Sequence, residues 1–185
     1  MIVIVSGPGG VGKSTVVAEL LRRNPGMRRS ISVTTRSPRS GERDGIDYYF
    51  VTDEQFTDWI DKERFAEYAD VRGHRYGTLK CSLESIPQSD IVVFTIDVHG
   101  GQAVKRLFPE ALAIFLKPPD TVELERRLAG RGADTAEEIA GRLKLGQYEM
   151  TFAKDYDYMV TNRDLSTTVD IIDNIIRNVQ RRQER

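Results

Sequence analysis

Ile2-Val-Ile-Val-Ser-Gly7-Pro-Gly-Gly-Val-Gly-Lys13-Ser14-Thr15 stands almost at the start of the chain and decides its fold. A short, unbroken β-branched run bounded by glycine reads as a strand buried on both faces, as in the middle of a parallel sheet. The run from Gly7 to Ser14 then fits the G-x-x-x-x-G-K-[ST] pattern. Behind it Val16, Val17, Leu20 and Leu21 recur at helical spacing until Asn24-Pro25-Gly26 stops the helix. Strand, glycine loop and helix in that order make a phosphate cradle. Glycines let backbone N–H groups turn inward around anionic oxygens, and the helix N-terminus adds the positive end of its dipole. In such a cradle Lys13 reaches the β- and γ-phosphates and Ser14 coordinates magnesium. The motif specifies a nucleoside triphosphate and leaves the phosphoryl acceptor open.

Two further buried strands are expected at Ile91–Ile96 and Ala113–Leu116, with a helix from Gln102 to Phe108 crossing back between them. Strands alternating with helices imply an α/β fold with a parallel sheet and right-handed crossovers. Residues 30–78 read differently: short aromatic or alternating runs such as Asp47-Tyr-Tyr-Phe-Val51 are broken by Ser37-Pro38, Ser40-Gly41 and Gly73. They predict a small mixed insertion, with a short helix over Asp53–Lys62 whose Phe56, Trp59 and Ile60 form its core. Asp120-Thr-Val-Glu123 and Thr135-Ala-Glu-Glu138 read as capping boxes. Gly130-Arg131-Gly132-Ala133 between them reads as a hinged, positively charged flap. A stripe of Ile171, Ile172, Ile175, Ile176 and Val179 predicts a last helix packed on the sheet.

The 185 residues suit one domain, and 39% hydrophobic with 30% charged residues supply a core without any bias toward disorder. Basic and acidic residues number 27 and 28, which speaks against a protein that coats nucleic acid or membranes. The local pattern says more. Seven arginines between Arg22 and Arg43 face a single acidic residue, Glu42, and guanidinium forks match phosphate oxygens in pairs. A lone cysteine, Cys81, excludes an internal disulfide; it is expected to behave as a small hydrophobe. No His/Cys cluster has zinc spacing. No apolar run nears the roughly 20 residues of a membrane span, and no basic leader precedes a cleavage site, so a cytoplasmic location is expected.

Transfer between two anions is opposed by their repulsion, so a phosphorylated acceptor needs cations on both sides of the reacting centre. Arg36 and Arg39, three apart, and Tyr48 nine residues later offer two forks and a phenol for an acceptor phosphate. Glu67, Tyr76, Thr78 and Asp97 are spread along the chain but converge if the sheet brings them together. Two carboxylates facing a base would select guanine, whose N1–H and 2-amino group donate where adenine has no such pair.

Gly7-Pro8-Gly9-Gly10-Val11-Gly12-Lys13-Ser14-Thr15, Ser32-Val-Thr-Thr-Arg36-Ser-Pro-Arg39-Ser-Gly-Glu42 and Gly45-Ile-Asp-Tyr48-Tyr-Phe50 together resemble the guanylate kinase family. Phe65-Ala-Glu67, Arg75-Tyr76-Gly-Thr78, the lid-like stretch from Arg127 to Thr135, Arg142-Leu143 and Val160-Thr-Asn162 follow in family order. The resemblance implies a P-loop NTPase fold of three layers: a central parallel sheet, a small mixed GMP-binding insertion and a helical lid. It implies one domain over 1–185, with core 1–31, 80–126 and 143–185, insertion 32–79 and lid 127–142. The implied reaction is ATP-dependent phosphorylation of GMP, and of dGMP, to the diphosphate, with magnesium. ATP would lie on Gly7, Pro8, Gly9, Gly10, Val11, Gly12, Lys13, Ser14 and Thr15, with its adenine at Asn162. Ser32, Arg36, Arg39, Tyr48 and Tyr76 would hold the GMP phosphate, and Glu67, Thr78 and Asp97 would read guanine. Lys13, Arg36 and the lid and core arginines Arg127, Arg131 and Arg142 would neutralise charge on the transferred group. Taken singly, each position has a plain structural alternative: Tyr48 as a core residue, Arg127 as an i,i+4 surface partner of Glu123, and Asn162 as a turn residue.

Three positions depart from the family pattern. Thr95-Ile-Asp97-Val-His99-Gly100 stands where Asp-x-Asp-x-Gln-Gly is usual, so any role of the first carboxylate in arranging magnesium-bound water is weakened or supplied elsewhere. His99 is either a tolerated neutral side chain or a titrating one. Gly9 replaces the commoner serine and leaves the backbone cradle intact. Two rival readings remain. A sugar-phosphate kinase of this fold has no need of Glu67, Thr78 and Asp97. A phosphopeptide-binding module would have lost the triphosphate loop that Lys13 and Ser14 retain. Oligomeric state is not readable from the sequence.

Overall fold

The computed structural model describes residues 1–183 apart from Arg72, Ser85, Gln88, Ser89 and residues 131–134. In chain order the elements are β1 (Ile2–Ser6), α1 (Lys13–Arg23), β2 (Met27–Arg29), β3 (Val33–Thr34), β4 (Tyr49–Phe50), α2 (Asp53–Asp61), β5 (Phe65–Val71) and β6 (His74–Leu79). There follow α3 (Cys81–Glu84), β7 (Ile91–Thr95), α4 (Val98–Leu107), β8 (Leu112–Lys117), α5 (Thr121–Ala129) and α6 (Ala136–Met150). A 3-10 turn (Thr151–Asp155), β9 (Tyr158–Thr161) and α7 (Leu165–Gln183) complete the chain.

The β-branched run at the start is the middle strand of a five-stranded sheet of order β2-β7-β1-β8-β9, parallel at every pairing. Its alternate side chains feed two apolar layers. Val3 and Val5 pack with Val16 and Leu20 of α1 and Ile172 and Ile176 of α7. Ile4 and Phe94 pack with Val104 of α4 on the opposite face. The result is three layers. The edge strands β2 and β9 escape a reading by apolar runs, because Met27-Arg28-Arg29 and Tyr158-Met-Val-Thr161 bury little and are strands by their ladders with β7 and β8.

Two apolar expectations change. Ile171 is 42% exposed, and the buried stripe of α7 is Val169, Ile172 and Ile176, with Ile175 and Val179 packed beside it. One residue turns a helix by about 100°, which carries Ile171 off the sheet-facing side. Cys81 is exposed and in no disulfide, because the single turn of α3 buries only Leu83.

The insertion is a second, mixed sheet of order β4-β3-β6-β5, in which β3 pairs parallel with β4 and antiparallel with β6. Phe56 of α2 stacks on Phe65 at 4.4 Å between centroids, with Trp59 and Ile60 packed against the pair, so these aromatics are core. Thr135 and Glu138 form the reciprocal capping box of α6. At α5 only half of such a box exists: Asp120 accepts from Glu123 N, while the Glu123 side chain turns to Arg126 and Arg127. Among the described residues no helix is long and apolar enough to cross a membrane.

Candidate active site

β1 runs into the glycine loop at the C-terminal edge of the sheet, where a parallel α/β sheet opens its crevice. Gly7 has φ 140°, and a Cβ there would lie 2.0 Å from the Leu116 carbonyl oxygen, so the turn requires glycine. α1 begins at Lys13 without a side-chain cap, which leaves its first-turn amides for a ligand. Lys13 Nζ curls back to donate to the carbonyls of Gly7 (2.6 Å) and Pro8 (3.1 Å), while Ser14 and Thr15 are exposed beside it. Gly9 N donates to Glu149 Oε2 of α6 at 3.1 Å. Burial pushes the Glu149 carboxyl up, and the charge of Lys13 and the Gly9 N–H pull against it.

The far wall of the loop is braced from the C-terminal third of the chain. Asn162 Nδ2 donates to Val11 O (2.8 Å), and Thr168 Oγ1 donates to Asn162 Oδ1 (3.1 Å). Arg127 donates to Val11 O (3.0 Å) and Asn162 O (2.8 Å), and its Nε pairs with Glu123 Oε1 (2.7 Å). Arg127 is thus both the i,i+4 partner of Glu123 and a strut on the loop. A cavity of about 360 Å³ opens here, lined by Gly10, Gly12, Thr15, Arg127, Asn162 and Arg163 among others.

On the other side of Lys13 lies a cavity of about 170 Å³ lined by Lys13, Ser14, Ser32, Tyr48, Glu67, Tyr76, Thr95 and Asp97 among others. The mixed sheet delivers Glu67 from β5 and Tyr76 from β6, and the core strand β7 delivers Thr95. Thr78 Oγ1, fully buried, donates to Glu67 Oε1 at 2.6 Å. Burial pushes the Glu67 carboxyl up to about 7; the Thr78 hydroxyl lowers it, and the charge of Asp97 adds to the rise. Asp97 is also the N-cap of α4: its Oδ1 accepts from His99 N (2.8 Å) and Gly100 N (2.9 Å), which leaves Oδ2 outside the cap. This cap starts α4 at Val98 and not at Gln102, in spite of two glycines of low helix propensity.

Arg36 is largely buried. Its Nη2 pairs with Glu42 at 2.9 Å, its Nη1 donates to Ser37 O at 2.7 Å, and its guanidinium lies 5.5 Å from the Tyr48 ring centroid. Burial opposes its charge, but Glu42 and the Tyr76 hydroxyl outweigh that and raise its pKa. Burial likewise pushes the Tyr48 hydroxyl up, against the pull of Arg29 and Arg36. Arg39 donates through its backbone N to Glu42 Oε2 (2.7 Å), and its side chain is on the exposed loop, outside the cavity lining. Arg142 is half-buried on α6, and Arg131 lies outside the described residues.

Three residues belong here that the motifs did not assign. Glu42 ties Arg36 to the backbone of Arg39, and its signal was to be the one acid in an arginine-rich stretch. Gly100 makes room for Glu67. Glu149 touches the phosphate loop across 140 residues of sequence and carries no local signal. His99 packs edge-on to Phe152 at 5.0 Å, beside Tyr148. Thr95 Oγ1 is buried with no hydrogen-bond partner among the described residues. The Ser14 hydroxyl and the Asp97 carboxylate line the same cavity as Thr95, beside Lys13, and oxygen donors of this kind suit a hard cation such as magnesium. No group of three or more His, Cys, Asp or Glu able to hold a metal exists among the described residues, so such a cation would depend on ligands brought by the nucleotide.

A family model described as guanylate kinase matches residues 1–179. Over 178 residues the chain is 44% identical to a guanylate kinase of Prochlorococcus marinus, covering 96% of this chain and 97% of that one. It is 46% identical over 165 residues to a guanylate kinase of Synechocystis sp., covering 89% and 86% respectively. Among solved structures, the guanylate kinase from Anaplasma phagocytophilum superposes with a TM-score of 0.81 at 34% identity, over 97% of this chain and 86% of that one.

Proposed function

The chain belongs to the guanylate kinase family, and we infer that it transfers the γ-phosphoryl group of ATP to GMP, yielding GDP and ADP. One observation carries the assignment of the site: Lys13 and Ser14 of the phosphate loop line the same cavity as Glu67, Asp97, Tyr48 and Tyr76. Donor and acceptor would therefore meet at Lys13. ATP would lie on residues 7–15 with its base toward Asn162 and Arg127. The GMP phosphate would be held by Ser32, Arg36, Arg39, Tyr48 and Tyr76, and its guanine by Glu67, Thr78 and Asp97.

The transfer is in line and needs no nucleophilic side chain, so catalysis is positioning and charge stabilisation. Lys13, Arg36, Arg127, Arg131 and Arg142 would supply cations where charge develops. Arg127 is anchored on the carbonyls of Val11 and Asn162, beside the phosphate loop. Ser14 would hold magnesium, with Thr95 and Asp97 near enough in the lining to order its water; bound there, magnesium neutralises phosphate charge. We assign 32–79 as the insertion and 127–142 as the lid on a core of 1–31, 80–126 and 143–185; their closure would exclude water from the transfer. A single cysteine in no disulfide suits a reducing cytoplasm.

A panel of nucleoside monophosphates with ATP tests this reading. GMP is expected to be the best acceptor, dGMP slower, and AMP slower by at least ~100-fold, because a site built to accept N–H protons leaves its carboxylates unpaired against adenine. Equal turnover of AMP and GMP would overturn it, and turnover of a sugar phosphate in place of GMP would favour the rival kinase.

A further inference from the structure

Glu149 of α6 accepts a hydrogen bond from the phosphate loop. Its Oε2 takes the Gly9 N–H at 3.1 Å, and the charge of Lys13 favours its ionised form against burial. An inward backbone N–H and a lysine ammonium are the two kinds of group with which such a loop binds a phosphate oxygen. The carboxylate is therefore placed as a phosphate oxygen would be. Its position is built, not incidental. α6 comes against the loop at Gly146, which is buried, and a Cβ there would already lie 3.6 Å from Pro8 Cβ and 3.2 Å from Leu124 Cδ2. Glu149 follows Gly146 by three residues, which sets it on the same helix face.

We propose that Glu149 is a positioning residue that fills the donor-phosphate site of the nucleotide-free loop, and that the triphosphate has to displace it. Two anions cannot share one N–H and one ammonium, so the carboxylate weakens donor binding by the work of moving it away.

The proposal rests on the loop being the donor site, and tripolyphosphate without magnesium separates the two. Calorimetry is expected to show Glu149→Gln binding tripolyphosphate about five- to tenfold more tightly than the wild type, since one nearby negative charge is removed. In turnover, Glu149→Gln should lower KM for ATP and leave KM for GMP unchanged. A merely structural role predicts the opposite sign, because a loosened loop binds more weakly. Equal or weaker binding by a folded Glu149→Gln overturns the proposal, and so does equal or weaker binding by a folded Glu149→Ala if the glutamine variant does not fold. Failure of the wild type to bind tripolyphosphate while it still binds GMP would overturn the donor-site reading beneath it.

Discussion

Glu67 and Gly100 meet so closely that a methyl group on the glycine would lie 2.8 Å from Glu67 Oε2 and 3.1 Å from its carboxyl carbon. The Glu67 carboxylate of the insertion, proposed to read guanine, is thus backed by the first turn of a core helix, and any side chain at position 100 must push it forward or aside. Gly100→Ala separates binding from stability. Alanine favours helix over glycine by about 1 kcal/mol, which offsets part of the overpacking cost of 1–3 kcal/mol. KM for GMP is expected to rise by about tenfold or more, a loss of roughly one hydrogen bond to a charged group. KM for ATP should hold within about twofold and the melting temperature within a few degrees. Steady-state kinetics and a melting curve check both, and an unchanged GMP constant would remove Glu67 from the base site.

Glu67 also makes the enzyme pH-dependent in two opposed ways. Its carboxyl is raised from 4.5 to about 7 by burial, so the folded protein favours the protonated form. The stability this group contributes is full below about 4.5 and is lost as pH rises through about 7. Guanine, in contrast, needs the ionised form as an acceptor, so GMP affinity should rise from pH 6 to pH 8. Glu67→Gln keeps the neutral state at every pH. It is expected to melt higher than the wild type at pH 8, to match it near pH 4.5, and to bind GMP weakly with no such pH dependence. Calorimetry with GMP across this range, the variant serving as control for the ligand's own phosphate titration, decides it.

Glu42 holds the loop that carries Arg36 and Arg39 by pairing with Arg36 and accepting the Arg39 backbone N–H. Glu42→Ala frees both arginines, and KM for GMP is expected to rise by about five- to twentyfold, the loss expected for one or two charge-assisted hydrogen bonds. Lys13→Ala acts from the other side of the cavity: turnover should fall by about 100-fold or more, while the dissociation constant of GMP changes little. The same kinetic profile from both variants would show that donor and acceptor contacts are not divided between the loop and the insertion.

The buried run Ile2–Val5, the loop Gly7–Ser14 and the helix behind it were legible because strand, turn and helix each leave a local period or a glycine pattern, and their order admits little besides a parallel sheet. The aromatic core of the insertion and the Thr135 cap were legible for the same reason. The edge strands β2 and β9 were not, since a strand that buries little is defined by its neighbour's ladder and not by its own side chains. The start of α4 was hidden too, because Gly100-Gly101 argues against a helix until Glu67 is seen to need the space.

By itself the sequence determined the chemistry available: a phosphate loop, arginine forks, and the carboxylates Glu67 and Asp97. Only the tertiary structure decided how those groups are committed. It gave one oxygen of Asp97 to a helix cap, anchored Arg127 on the loop, and set Glu149 against Gly9. The division has a physical cause. Residue type and spacing are local, whereas burial, hydrogen-bond partnership and the pKa of a carboxylate depend on what folds against it from far along the chain.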